Sequence, residues 1–71
     1  MNEWISTPQS SNVAGFSYDS VSQVLTVEFN SGGRYDYYDV PEHIFGGMKS
    51  ADSKGRYLHV KIKGQYRYAR Q

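Results

Sequence analysis

Val24-Leu25-Thr26-Val27-Glu28-Phe29 runs into Asn30-Ser31-Gly32-Gly33 and then into Arg34-Tyr35-Asp36-Tyr37-Tyr38. The first six residues alternate. Leu25, Val27 and Phe29 share one side of an extended chain, and Val24, Thr26 and Glu28 share the other. The paired glycines supply positions free to take positive φ in a tight reversal. Beyond them Tyr35 and Tyr37 fall on one side, with Asp36 and Tyr38 opposite. The stretch reads as a hairpin, and the chain around it as an antiparallel meander.

Upstream, residues 13–18 read as a strand, with Val13, Gly15 and Ser17 on one face and Ala14, Phe16 and Tyr18 on the other. Asp19-Ser20 supplies turn chemistry. Downstream, Val40-Pro41 ends the strand, and proline suits the first turn of a helix. Ile44, Phe45, Met48 and Ala51 form an apolar helical stripe. Gly46 and Gly47 weaken that helix by about 1 kcal/mol each relative to alanine, which a close approach of its backbone to the sheet would explain. Asp52-Ser53 caps a second helix over about residues 54–61, with Tyr57, Leu58 and Ile62 on one face and Gly64 at its end. Tyr66-Arg67-Tyr68 alternates again as a last strand. The expected class is α+β: a small antiparallel sheet, a three-stranded meander plus a C-terminal strand, packed by two short helices. The order is β-β-β-α-α-β.

Only residues 12–71 have this character. Residues 1–11 are mostly polar and are expected to be a flexible N-terminal arm. Trp4 and Ile5 stand out there, because a large aromatic in such an arm either folds back or meets a partner. The whole chain has 71 residues, no Cys and a formal net charge of +1. At that length a single core leaves only a few kcal/mol, and without Cys no disulfide or thiolate zinc site can add to it. No apolar run is long enough to span a bilayer, and no basic-then-apolar signal opens at Met1. Read as starting at Met1, the chain is expected to be a cytoplasmic monomer, with no membrane partner and no cofactor.

Charge is segregated along the sequence. Residues 1–51 carry two basic and six acidic side chains, and residues 52–71 carry six basic and one acidic. Such a division steers a partner unless the two halves neutralise each other. Reaction chemistry is harder to find. His43 and His59 lie sixteen residues apart with no tight ligand pair, so no metal site is expected. The serines sit in turns and the arm, and no nucleophile elbow occurs. Gly46-Gly47-Met48-Lys49-Ser50 departs from a phosphate-binding loop because Met48 separates glycine from lysine. The chain is expected not to be an enzyme.

Binding signals are stronger. Lys54, Arg56, Lys61, Lys63 and Arg67 interleave with Tyr57, Tyr66 and Tyr68. Aromatic faces stack on bases while Lys and Arg neutralise phosphates, so this mixture suits single-stranded RNA or DNA. The candidate nucleic-acid residues are Lys54, Arg56, Lys61, Lys63, Tyr66, Arg67 and Tyr68. Tyr35, Tyr37 and Tyr57 are expected to fill the core of a domain short of Leu and Ile, their hydroxyls left wet. Tyr66 and Tyr68 suit either role.

From about Ser11 to Tyr68 the chain resembles the KTSC domain, a small family named after the C-terminus of some lysyl-tRNA synthetases. Five pieces carry the resemblance in order: residues 15–19, 25–33, 35–41, 51–57 and 62–68. Tyr35-x-Tyr37 and Ser53-x-Gly55-x-Tyr57 are its most specific parts. The resemblance implies no established enzyme activity, and RNA binding only through the synthetase context. It also implies kinship with free-standing members of phage type that regulate transcription by binding bacterial RNA polymerase, inhibiting initiation and promoting antitermination. On that footing Trp4, Ile5, Ser6 and Pro8, outside the family core, are the expected partner-binding residues.

Overall fold

Five strands make one antiparallel sheet in the order β1-β2-β3-β4-β5, in a computed structural model that describes residues 4–7 and 12–71. They are β1 (Ile5–Ser6), β2 (Val13–Asp19), β3 (Val24–Phe29), β4 (Arg34–Tyr37) and β5 (Tyr68–Arg70). Between β4 and β5 come α1 (Glu42–Ser50) and α2 (Lys54–Tyr57), and α2 runs on into a π-helical turn, Leu58–Ile62. The α+β class, the meander, both helices and a returning C-terminal strand follow the expectation, although that strand is Tyr68–Arg70 rather than Tyr66-Arg67-Tyr68.

One strand was not expected. Ile5 pairs with Phe16 and Ser6 with Gly15, so part of the supposed arm is the sheet's first strand. Its hold is local. Thr7 donates its N–H to the Ala14 carbonyl at 3.0 Å and its hydroxyl to the Val13 carbonyl, while Ile5 packs against the core. Trp4 lies flat on Gly15, where an added Cβ would stand 2.6 Å from the indole. Glycine there makes the seat for the ring.

A second departure lies in β2. The register slips between Val13 and Gly15, which marks a bulge. The extra residue moves Val13 to the side of Phe16 and Tyr18, so all three are buried. Strict alternation had put Val13 with Gly15 and Ser17.

The core lies between the sheet and the helices, built on Val13, Phe16, Leu25, Val27, Val40, Met48, Leu58 and Ile62. The Phe45 ring of α1 stacks on Tyr18 at 4.7 Å and meets Phe16 edge-on at 5.9 Å. That contact seats α1 over the β2 side of the sheet. Ser53 caps α2 as expected, accepting the Arg56 N–H at 3.2 Å, and Gly64 leaves the helix at φ +80°. Gly47 has a different reason from the one expected. Its close neighbour is the Tyr57 hydroxyl, which crosses α1 there and donates to the Ile44 carbonyl at 3.0 Å. Nothing lies within 4 Å of a Cβ on Gly46.

The Tyr18 hydroxyl donates to the Val40 carbonyl inside the core. Burial, and then Glu42 and Asp19, push its phenol above the ordinary value of 10.0. Burial, with Tyr68 and Tyr35 after it, does the same for Tyr37. Above that ordinary value the unfolded chain releases these protons while the folded chain keeps them. Stability is therefore expected to hold up to about pH 10 and to fall as pH rises through the window up to the raised folded values. Urea titrations at pH 8 to 11 check this. Tyr18→Phe should lower stability at pH 8 by about 1 kcal/mol, the net worth of the lost hydrogen bond, and make the alkaline fall shallower. An equal alkaline slope in the variant would show that Tyr18 does not carry it.

Candidate nucleic-acid interface

Because α1 sits over β2, the β4 and β5 side of the same face is less covered. Register decides what is displayed there. Tyr35 pairs with Val27 and Arg70, and Tyr37 with Leu25 and Tyr68. Side chains at paired positions share a face, so Phe29, Tyr35, Tyr37 and Tyr68 assemble a floor of rings. Phe29 meets Tyr35 edge-on at 5.4 Å, and Tyr68 tilts against Tyr35 at 5.7 Å and Tyr37 at 5.6 Å. Tyr37 is buried, Tyr35 half-buried, and Tyr68 is 60 % exposed.

The opposite wall comes from α2 and the π-helical turn. Arg56, His59 and Lys63 follow one another at spacings of three and four and line the same open cleft, of about 1100 Å³. The π turn closes with the Lys63 N–H on the Leu58 carbonyl at 2.8 Å. It keeps Leu58 and Ile62 buried while Lys63 turns outward, and such turns are frequent at functional sites. The Lys63 ammonium lies 5.0 Å from the Phe29 ring centre, and the Arg70 guanidinium 6.0 Å from that of Tyr35. Tyr37 keeps its proton at neutral pH, so the floor carries no negative charge from it. Aromatic faces below and cations at the rim are the two contacts that a single nucleic-acid strand offers partners for.

Of the seven candidate nucleic-acid residues, Arg56, Lys63 and Tyr68 line this cleft. The others are engaged elsewhere or stand off it. The Lys54 ammonium donates to the Lys49 and Ala51 carbonyls and so closes the end of α1. Tyr66 packs partly buried against the core. Arg67 pairs with Asp39 at 3.3 Å, both widely exposed, and lies 6.0 Å from the Tyr38 ring. Lys61 is exposed along the helix, on the flank where Val60 and Tyr57 lie. Sequence reasoning missed Phe29, Tyr35, His59 and Arg70. Arg70 was visible two residues beyond Tyr68, on the same face of the last strand.

Trp4 and Ser6, by contrast, stand on the outer face with Gly15, Glu28 and Arg34. Trp4 is 42 % exposed, and the Arg34 guanidinium lies 5.1 Å over its ring while pairing with Glu28 at 3.1 Å. Ile5 faces the core, and Pro8 lies outside the described residues. The expected partner-binding residues thus do not form one surface. Of two ion pairs among the described residues, Arg67–Asp39 alone joins the basic segment to the acidic one, so the basic end is largely unneutralised. Also among the described residues, no group of three His, Cys, Asp or Glu is placed to hold a metal ion, and no helix is long and apolar enough to cross a membrane.

The fold has a close counterpart in the crystal structure of a KTSC domain protein from Yersinia pestis. It is 30 % identical, has a TM-score of 0.93, and the match covers 100 % of this chain and 99 % of that one. An uncharacterised protein of Stutzerimonas stutzeri is 43 % identical over 63 residues, covering 87 % of this chain and 89 % of its own length. Lysine--tRNA ligase of Nostoc sp. is 41 % identical over 61 residues. That match takes in 86 % of this chain but only 11 % of the ligase. The KTSC domain profile itself matches residues 9–66, most of the strands and both helices described above, and the chain therefore belongs to the KTSC domain family.

Proposed function

We propose that this chain is a non-catalytic module that binds single-stranded RNA in the cleft between β4–β5 and α2. One observation carries the reading: the rings of Phe29, Tyr35 and Tyr68 form a continuous floor in a cleft that Arg56 and Lys63 also line, with the Arg70 guanidinium 6.0 Å from the Tyr35 ring. Bases stack on the rings and phosphates lie along the cations, with little demand on sequence. The occurrence of a similar segment within lysine--tRNA ligases, whose substrate is an RNA, supports it. The test is a titration of labelled protein with an eight-nucleotide single-stranded RNA at low salt. Amide shifts are expected at Tyr35, Tyr68, Arg56 and Lys63. The affinity should fall with a log–log salt slope of about −2, as about three phosphates release counterions. No shifts, or shifts only on the outer face, would end the reading.

A second reading rests on Trp4, whose indole remains partly exposed under Arg34. Tryptophan and arginine are the residues that most often dominate protein interfaces. In this reading the chain acts as a regulator that docks on bacterial RNA polymerase, resembling a small transcription regulator of a Xanthomonas phage. Capture of purified polymerase by the chain, lost on Trp4→Ala, is the expected result. Equal retention by the variant would take Trp4 out of the contact.

A further inference from the structure

The last strand leaves its outer edge open. In an antiparallel ladder, hydrogen-bonded residues alternate with residues whose N–H and C=O point away. Tyr38 donates to the Arg67 carbonyl at 2.9 Å and Gln71 to the Arg34 carbonyl at 2.8 Å, so 67, 69 and 71 face β4. Tyr68 and Arg70 therefore turn their backbone groups outward, and all three residues of β5 are exposed. No proline or bulge protects this edge. What it does carry is charge. Arg67 and Arg70 flank Tyr68 and Ala69, and no acidic residue follows Asp52 in the sequence.

We propose that the free edge of β5 takes an extended acidic peptide segment of a protein partner as a sixth strand. Main-chain bonds to Tyr68 and Arg70 supply affinity, and alternate side chains supply selection. An acidic side chain opposite Arg70 and one opposite Arg67 would meet cations with weak counter-charge, since the ion pair of Arg67 among the described residues is the widely exposed one with Asp39. An apolar residue opposite Tyr68 would cover its exposed ring. A second copy of this chain fits worse, because pairing β5 with itself sets side by side two segments that each carry Arg67 and Arg70 and no acidic residue, a like-charge pattern that guards edges against self-association. The inference is carried by the backbone edge of β5 rather than by the ring floor, and shares with the RNA reading only the side chains of Tyr68 and Arg70.

The test uses the whole chain and an acidic, β-branched heptapeptide, with the same peptide carrying lysine for glutamate as control. Binding of the acidic peptide should slow hydrogen exchange of the Tyr68 and Arg70 amides. Arg70→Gln keeps the outward N–H and loses the charge, and should weaken binding several-fold. Arg70→Pro also removes the N–H on the side facing solvent, where an edge strand tolerates proline, and should abolish binding with the fold intact by circular dichroism. Equal binding of the lysine peptide, unchanged exchange at Tyr68 and Arg70, binding by Arg70→Pro equal to that by Arg70→Gln, or dimerisation through β5 in sedimentation would each overturn the proposal. Peptide binding in a protein that ignores RNA would refute the cleft reading alone, and RNA binding without peptide binding would refute this one alone.

Discussion

Tyr35→Ala combined with Tyr68→Ala is expected to weaken single-stranded RNA binding by about 100-fold, read as anisotropy of a labelled oligonucleotide at fixed salt. Each base stacked on an aromatic side chain is worth about 1–3 kcal/mol, and every 1.4 kcal/mol is tenfold, so two lost stacks near the lower end give that factor. The salt slope should stay the same, because no phosphate contact is removed. Lys63→Ala should do the reverse, costing less affinity but flattening the slope by about 0.7 for one phosphate released from contact. Tyr35 is half-buried against the core, so the double variant also loses some stability and its fold is checked by circular dichroism. Tyr68 is 60 % exposed, so its truncation removes little burial, and Tyr68→Ala alone should still lower affinity about tenfold. A double variant that binds as the parent does would show that the rings are only packing.

Alanine at the two adjacent glycines of α1 is expected to act with opposite signs. At Gly46 a Cβ meets nothing within 4 Å, so the helical preference of alanine stands alone and stability should rise by about 0.5–1 kcal/mol. At Gly47 the Cβ would enter the space of the Tyr57 hydroxyl. Tyr57 must then swing away, giving up its bond to the Ile44 carbonyl, worth about 1 kcal/mol, and its packing across α1. Overpacking costs about 1–3 kcal/mol, and the gain in helix preference offsets part of it, leaving Gly47→Ala about 2 kcal/mol less stable. In a domain this small that is a fall in Tm of roughly 8–16 °C, against a rise of a few degrees for Gly46→Ala. Two shifts of the same sign would mean that Tyr57 does not lock α2 to α1.

The same tyrosine bears on the cleft. Tyr57 ties α1 to α2, and α2 carries Arg56 and, through the π turn, His59 and Lys63. Loss of the Tyr57 contact should therefore loosen the cationic wall of the cleft while leaving the ring floor in place. Gly47→Ala is expected to reduce RNA affinity through that wall. The Tyr57 ring itself, read from sequence as core, is half-buried and plays this bracing part.

Some elements were legible because their causes are local. Period-two alternation in residues 24–29, a glycine pair at the reversal, Ser53 before a helical run and Gly64 after it each act within a few residues. They determined the meander and the second helix with its caps, as the apolar stripe of Ile44, Phe45 and Met48 determined the first helix. The basic tyrosine-rich C-terminal segment was legible in composition as well, though composition could not separate Lys63 at the cleft from Lys54 at the end of α1. The two side chains differ in what chain returns beside them, and Lys54 is taken by carbonyls of the preceding helix.

Tertiary structure alone decided the rest. The strand at Ile5–Ser6 has no propensity of its own worth noticing in two residues, and it exists because Phe16 and Gly15 offer a pairing edge and a flat seat for Trp4. The bulge that turns Val13 inward depends on a register with β3 that no alternation within β2 can reveal. The cleft depends on α1 settling over β2 and on β5 returning beside β4, which joins Phe29, Tyr35 and Tyr68 from positions up to thirty-nine residues apart. Local sequence thus determined the three-stranded meander and the two helices, because hydrogen bonding and steric preference along the chain are short-ranged. The binding surface waited on long-range pairing, because only there does one segment determine which face of another stays uncovered.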